Sequence, residues 1–270
     1  GLCYAQKRMN TMSALLQLLD LSFSHSHENL FEGLNLTINH KDKIGLIGHN
    51  GSGKSTLLAL IKGDKELNQG EIRKPNHVNI GFVDQFVSSS LQQMTLVDAV
   101  IDNLAEEDRL SNRWKAESQL LALGFVQAQF DVPVTGLSGG QQNLMLIARA
   151  LIREPALLLM DEPGNHMDIV AMEKLSHFLQ SDCRCAFMMI SHDQHLLDHV
   201  CNKTVFLRDK RTYEFDLPFE LAREQLVLED QSAANRREQE EKEIRRLQAS
   251  AKRLAIWGRA YNNEKFSRKA

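Results

Sequence analysis

Short apolar runs and longer amphipathic stretches alternate along this chain. Continuous apolar runs bounded by turn residues indicate buried strands, and four are predicted, at Ile44–Ile47, Ala156–Met160, Ala186–Ile190 and Val205–Leu207. Amphipathic patterns predict helices at Thr56–Ile61, Leu96–Leu104, Asn112–Leu123, Gln141–Ile152 and Asp168–Gln180. Strands that alternate with helices in this way indicate an α/β fold around a largely parallel sheet.

The beginning of the chain has a different pattern. Ser13–Leu19 and Phe31–Ile38 predict strands of a small antiparallel sheet, with a polar loop at Ser22–Asn29 between them. Two further short strands are predicted at Glu71–Arg73 and Val78–Val83. Near the other end, Arg208–Tyr213 predicts the polar turn of a hairpin.

Beyond Pro218 the pattern changes again. From Glu220 the chain is charged and favours helix, with neither glycine nor proline before Gly258. Apolar or small residues then repeat at spacings of three and four, the a/d spacing of a coiled coil: Ile244, Leu247, Ala251, Leu254, Gly258 and Tyr261. We expect one arm of a helical hairpin, with its return arm beyond residue 270.

The strongest chemical signal lies between the strand at Ile44–Ile47 and the helix that follows it. Residues 48–55 read G-x-x-x-x-G-K-S, the phosphate-binding P-loop, in the strand–loop–helix context that the motif requires. Glycines let the backbone N–H groups face an anion, and the helix adds its positive end. We therefore expect nucleotide binding by Gly48, His49, Asn50, Gly51, Ser52, Gly53, Lys54, Ser55 and Thr56.

Two later motifs each have a simpler structural interpretation. Leu137, Ser138, Gly139, Gly140 and Gln141 open a helix and suggest a second anion site, although Ser138 alone would explain an ordinary helix cap. Similarly, Asp161 and Glu162 end a buried strand, where two acids are often merely solvated. Their order after a P-loop makes both motifs more specific.

This order resembles the ATP-binding cassette (ABC) superfamily, in which the 137–141 pentapeptide is the signature. The resemblance implies a P-loop ATPase fold with an antiparallel β subdomain, a helical signature subdomain and ATP and Mg²⁺ as ligands. It implies that Glu162 is the general base, that His192 contacts the γ-phosphate, and that Ser55, Gln85 and Asp161 serve Mg²⁺, with Gln85 also sensing the attacking water. The signature of one domain would close over ATP held by a second domain, either in the same full-length chain or in a homodimer.

The run Asn165-His166-Met167-Asp168, which follows Asp-Glu-Pro-Gly, is similar to the ABC-F class of this superfamily. These proteins are soluble, carry two ATPase domains joined by a charged helical linker, and often act on the ribosome. Residues 1–11 look like a tag or upstream residues, with Met12 as a plausible true start. The resemblance predicts an ATPase domain at 12–218 with its helical subdomain at about 88–140, and a truncated linker at 219–270. It also predicts that Arg236–Ala270 contacts the ribosome or tRNA.

Four features depart from the ABC-F pattern. Gly164 replaces a threonine and should loosen the backbone beside the catalytic turn. Met167 replaces leucine, which conserves volume. His25 aligns with the aromatic residue that stacks on adenine and offers a smaller surface. The segment from Gln85 to Leu137 is only long enough for the helical subdomain, so the extra arm of some ABC-F proteins is expected to be absent.

Composition adds a charge asymmetry to this picture. The 270-residue chain has a net charge of −3, but Arg236–Ala270 contains 11 Lys/Arg and 5 Asp/Glu, so this tail carries +6 and the remainder −9. A basic tail suggests nucleic acid or a membrane surface, while a solvated helix is the simpler alternative. Four cysteines without metal spacing, no transmembrane pattern and no secretory segment predict a reduced, cytoplasmic protein.

Two other functions remain open from the sequence. The ATPase subunit of an ABC membrane transporter would keep every catalytic residue but would lack the basic helical tail. A nucleotide-gated binding module that does not hydrolyse ATP is the second alternative. The presence of both Glu162 and His192 argues against it.

Overall fold

The computed structural model describes residues 14–25 and 28–267 of the chain, with backbone alone at 25, 28, 249 and 251–267. Its strands are β1 (Ala14–His25), β2 (Glu28–Asn39), β3 (Lys43–Ile47), β4 (Gln69–Arg73), β5 (Ile80–Val83), β6 (Leu157–Asp161), β7 (Ala186–Ile190), β8 (Lys203–Arg208) and β9 (Arg211–Phe215). Its α-helices are α1 (Lys54–Lys62), α2 (Ser89–Gln92), α3 (Leu96–Ile101), α4 (Glu106–Arg109), α5 (Arg113–Ala122), α6 (Gly139–Leu151), α7 (Ile169–Ser181), α8 (Gln194–Val200) and α9 (Phe219–Ser267).

The central sheet has six strands in the order β5-β6-β7-β3-β8-β9. Every neighbouring pair is parallel except β8 and β9, which form an antiparallel hairpin. Strands β6 and β7 are almost fully buried, as their continuous apolar sequences predicted. Because parallel strands end at the same edge, the segments that follow β3, β5, β6 and β7 all emerge at one side of the sheet.

A second sheet has three antiparallel strands in the order β2-β1-β4. The loop predicted at Ser22–Asn29 was wrong, because β1 and β2 stay paired there and Phe23 lies opposite Phe31. The backbone N–H of Ser24 also donates to Asn68 Oδ1 at 2.8 Å. The polar residues therefore belong to a half-buried strand that pairs with the adjacent β2 and also contacts Asn68, which is distant in the sequence.

One apolar cluster joins the two sheets and α1. It contains buried side chains from β1 and β2, such as Leu18 and Leu36, and from the central sheet, such as Leu46 and Met188. Leu57 and Leu58 of α1 complete the same cluster. The helix that follows the P-loop is thus fixed against both sheets.

Helices α2 to α5 form a helical region between β5 and α6. Arg149 of α6 fastens it, since its Nη1 donates to Ala99 O at 2.6 Å and its Nη2 lies 3.1 Å from Asp102 Oδ2. Helix α3 ends at Ile101, three residues before the predicted end. Thr95 caps its first turn by accepting from the Asp98 N–H.

The last helix, α9, runs for 49 residues. The chain divides after Ala222 into two units, and the second consists of this helix from Arg223 onward. Ile244 and Leu247, the first two positions of the predicted stripe, are 53% and 63% exposed, while the remaining four side chains lie outside the description. Among the described residues, no helix has the length and apolar character needed to cross a bilayer.

Candidate nucleotide-binding and catalytic site

The P-loop turns tightly between β3 and α1. Gly51 and Gly53 have φ angles of +82° and +96°, in a region of backbone conformation that residues other than glycine rarely adopt. A Cβ at Gly53 would also lie 2.8 Å from the ring of Phe31, and one at Gly48 would lie 2.7 Å from Leu207 O. The loop conformation therefore depends on glycine at these positions.

Several polar groups of this loop fit an anionic ligand. The N-cap of α1 is Gly53, which has no capping side chain, so the first N–H groups of the helix remain available to a phosphate. Within the described part of the chain, the buried Ser52 hydroxyl has no hydrogen-bond partner. Lys54 folds over the loop and donates to Gly48 O at 2.8 Å and His49 O at 3.2 Å. Phosphate oxygens would satisfy all of these donors.

The second part of the site lies where β6 and β7 end. Asp161 closes β6, and Glu162 follows with φ of +52° and an N–H that donates to Ile190 O at 3.0 Å. One carboxylate oxygen of Glu162 lies 3.3 Å from His192 Nε2, and the other accepts from the His192 N–H at 3.3 Å. The Glu162 side chain is only 17% exposed, whereas His192 is 67% exposed. The strained turn thus directs a nearly buried carboxylate toward an accessible imidazole.

A cavity of about 100 Å³ brings three of the predicted residues together. Gln85, Asp161 and Glu162 all line it. Asn143 of α6 lines it as well, and its Nδ2 donates to Asn165 O at 2.6 Å, which supports the turn after Glu162. Sequence analysis did not identify Asn143, because a polar residue on an amphipathic helix looks like an ordinary exposed one.

Other predicted residues lie outside this cavity. Ser55 lies in the first turn of α1, which follows β3. Strand β7 lies between β3 and β6 in the sheet, so Ser55 and Asp161 follow strands that are not neighbours. The signature opens α6, two residues earlier than predicted, with a capping box in which Ser138 and Gln141 each bind the other's backbone N–H. Ser138 and Gly139 are exposed at this helix start. The side chain of His25 lies outside the described residues, so its stacking role stays a prediction.

Two glycines near the catalytic turn pack closely against neighbouring side chains: Gly164 within the turn, and Gly140 in the first turn of α6. A Cβ at Gly140 would lie 2.8 Å from the Ala171 Cβ, so this glycine lets α6 and α7 approach each other. A Cβ at Gly164 would lie 2.4 Å from the Met172 Cε. Met172 therefore occupies the space that a larger residue at 164 would need. The structure thus places the Met172 side chain beside Gly164, and the expected loosening of the backbone there stays a prediction.

Comparison with known proteins agrees with this geometry. The ABC transporter family profile matches residues 31–165, half of the chain. The ATP-binding protein YdiF of Bacillus subtilis is 29% identical over 228 residues, which cover 70% of this chain and 35% of YdiF. The zinc import ATP-binding protein ZnuC of Buchnera aphidicola is 28% identical over 201 residues, covering 73% of this chain and 82% of ZnuC. The chain thus spans about a third of YdiF but most of ZnuC.

The fold is shared with solved ATP-binding cassettes. A nucleotide-free cassette from an ABC transporter superposes with a TM-score of 0.66 and 21% identity, covering 79% of this chain and 95% of that structure. This match confirms the predicted P-loop α/β fold. Domains of this family bind ATP and work in pairs or dimers. With a family match that contains the P-loop, the signature and the Asp161–Glu162 pair, this chain belongs to the ABC transporter family as one of its ATP-hydrolysing domains.

Proposed function

We propose that this chain is the first nucleotide-binding domain of an ABC-F protein, which hydrolyses ATP and acts on the ribosome in translation in the cytoplasm. Two observations support the class. The Asn165-His166-Met167-Asp168 run follows the catalytic turn, and the ATPase fold leads directly into the 49-residue charged helix α9. The chain covers only 35% of YdiF, so the second ABC domain is itself part of this proposal.

In the proposed reaction, the P-loop holds the phosphates of ATP. Lys54 exchanges its two loop carbonyls for β- and γ-phosphate oxygens, and the α1 N-terminus and the Ser52 hydroxyl provide further donors. Oxygen donors from Ser55, Gln85 and Asp161 would hold Mg²⁺, since a hydroxyl, an amide and a carboxylate are the ligands that this cation prefers. When bound, Mg²⁺ supplies charge neutralisation at the β- and γ-phosphates.

Glu162 is the proposed general base, and its contact with His192 is the observation that carries this assignment. The nearly buried carboxylate has two oxygens anchored near His192 and lies in the same cavity wall as Gln85. Such a carboxylate accepts a proton from the water that attacks the γ-phosphate. His192, being exposed, is placed to contact the γ-phosphate and to position the water.

A complete site requires a second domain. Residues 137–141 open α6 with an exposed start, and we propose that this signature covers ATP held by the P-loop of the partner domain. In the full-length protein the partner is the second ABC domain, and this chain alone would use a second copy. Hydrolysis by the isolated chain should therefore rise with protein concentration.

Ribosome contact is assigned to the basic tail. Arg236, Arg237, Arg245 and Arg246 are exposed on α9, but Arg245 is partly neutralised by Glu241 at 3.4 Å. Residues 236–250 carry a net charge of only +1, whereas 251–270 carry +5. Residues 251–270 therefore carry most of the positive charge that would attract RNA phosphates.

The test uses the full-length, two-domain protein and polysome-gradient sedimentation with and without ATP. One variant replaces four basic residues by glutamine, namely Arg245, Arg246, Lys252 and Arg253. Its matched control replaces four acidic residues of the same helix by glutamine, namely Glu238, Glu240, Glu241 and Glu243. RNA contact predicts weaker ribosome binding for the first variant and tighter binding for the control, with ATP turnover unchanged in both.

The salt dependence of ribosome affinity is a second test of the same contact. If about five basic residues touch phosphates, the log–log slope of affinity against salt should be about −3 to −5. The basic-to-glutamine variant should flatten this slope. Equal weakening in both variants would indicate damage to the helix, and ribosome binding unaffected by either would contradict the proposal.

A transporter ATPase subunit is the second candidate, and the 82% coverage of ZnuC favours it. Such a subunit would copurify with a membrane-embedded partner and would be absent from the ribosomal fractions of the gradient. Recovery with membranes, together with absence from ribosomes, would replace the ABC-F proposal.

A further inference from the structure

Two thiols lie next to each other at the end of the sheet opposite the P-loop. Cys183 and Cys185 belong to the short connection between α7 and β7, and their Sγ atoms are 3.6 Å apart. This connection precedes β7, whereas the P-loop follows the parallel neighbour β3. A five-residue strand separates the two ends by about 16 Å. The thiols therefore take no part in the ATP chemistry.

An open cavity of about 650 Å³, which we call the basal cavity, gives access to this thiol pair. Cys183 and Cys185 both line it, together with His40, Lys41 and Arg184. Its volume is in the range of cavities that accept small organic ligands. Cys183 is 8% exposed and Cys185 is partly exposed. Because both cysteines line the basal cavity, a small reactant that occupies it would lie beside the thiol pair.

The surroundings give the two thiols different acidities. The hydrogen bond with the Cys185 thiol lowers the pKa of Cys183 below its usual value, and the nearby charge of Lys43 also lowers it. Burial raises this pKa, but by less. The same hydrogen bond, together with burial, raises the pKa of Cys185. Burial raises the pKa of Cys201 to about 12. Among these three thiols, Cys183 is the one that ionises most readily.

We propose that Cys183 and Cys185 form a peroxide-reactive dithiol that closes into an intramolecular disulfide. The Cys183 thiolate attacks one oxygen of hydrogen peroxide and the O–O bond breaks. The leaving hydroxide takes up the proton that the Cys183 thiol had released, so that Cys183 sulfenic acid and water are formed. The Cys185 sulfur then attacks the Cys183 sulfur, and the hydroxyl leaves as a second water after taking the remaining thiol proton. In total, two thiols and one peroxide give one disulfide and two waters.

Mass spectrometry tests this on the full chain. The reduced protein is treated with an equimolar amount of hydrogen peroxide and is then denatured and alkylated with N-ethylmaleimide. Two of the four thiols should escape alkylation, and the mass before alkylation should fall by about 2 Da. Trypsin cleaves after Arg184, which separates the two cysteines, so the disulfide should hold peptides 175–184 and 185–203 together until it is reduced.

Two variants determine which sulfur atoms are involved. Peptide 185–203 also contains Cys201, so the same crosslink must persist in Cys201→Ser. In Cys185→Ser, the reaction should stop at the sulfenic acid, which dimedone traps on Cys183. A crosslink to Cys201 or Cys3, a disulfide between two chains, or no dimedone adduct on Cys183 would overturn the proposal. Dithiothreitol at the same concentration serves as a reference dithiol. If a peroxide dose oxidises half of the dithiothreitol but leaves all four protein thiols open to alkylation, the proposal is overturned as well.

Discussion

Replacing Glu162 by glutamine should nearly abolish ATP turnover while leaving the fold and ATP binding intact. Glutamine keeps the shape of the side chain but cannot accept the proton of the attacking water. Removal of a general base costs about 10²- to 10⁴-fold in rate, which corresponds to about 3–5 kcal/mol in the activation free energy. The stability cost should be small, because the 67% exposure of His192 limits its contact with Glu162 to under about 1 kcal/mol. The melting temperature should therefore fall by less than about 4 °C.

Glu154 provides a matched control for this substitution. Glu154 lies just before β6, whereas Glu162 lies just after it. Its φ of +50° nearly equals the +52° of Glu162. Its carboxylate binds Lys115 Nζ at 2.8 Å, away from the predicted site. Glu154→Gln makes the same chemical change on similarly strained backbone, and turnover should stay within about twofold of the unmodified chain.

The assay measures phosphate release over a range of protein concentrations, with light scattering in parallel. Turnover of the unmodified chain should rise with concentration as dimers form. Glu162→Gln should accumulate an ATP-bound dimer, because the site still assembles but hydrolysis no longer disperses it. If Glu162→Gln and Glu154→Gln turn over equally fast, another residue activates the water and the assignment of Glu162 is wrong.

Three further predictions concern the geometry of the site. Lys54→Ala should weaken ATP binding about 10- to 100-fold by calorimetry, since a charge-assisted phosphate contact contributes about 1.5–3 kcal/mol, and unchanged affinity would contradict its role. Gly53→Ala should lower the melting temperature more than Gly51→Ala. Both substitutions place alanine at positive φ, which costs about 1–2 kcal/mol, but only a Cβ at position 53 would also contact the Phe31 ring. Equal melting temperatures of the two variants would refute this. Asn143→Ala should lower kcat about tenfold without changing ATP affinity, as it frees a carbonyl in the turn after β6; an unchanged kcat would remove Asn143 from the site.

Much of the central sheet and its site could be predicted because the signals are local. Buried parallel strands are continuous apolar runs, and the chemical residues follow directly where those runs end. Asp161 and Glu162 were recognisable for this reason. The extent of β1 and β2 was not recognisable, because Ser24 and Asn29 are polar and look like loop residues. They pair with each other across the hairpin, and Ser24 is also held by Asn68, which is distant in the sequence.

Packing between elements accounts for the rest of what the sequence could not predict. Cys183 and Cys185 have the i, i+2 spacing that places side chains about 7 Å apart on one face of a strand. They lie instead in the connection before β7, where the turning backbone brings their sulfur atoms to 3.6 Å. Gly164 is similar: the resemblance to the ABC-F pattern predicted a looser backbone at this glycine, whereas the structure shows the Met172 side chain in the space beside it. In both cases the informative quantity is a distance set by two flanking elements, which neither residue type nor spacing encodes.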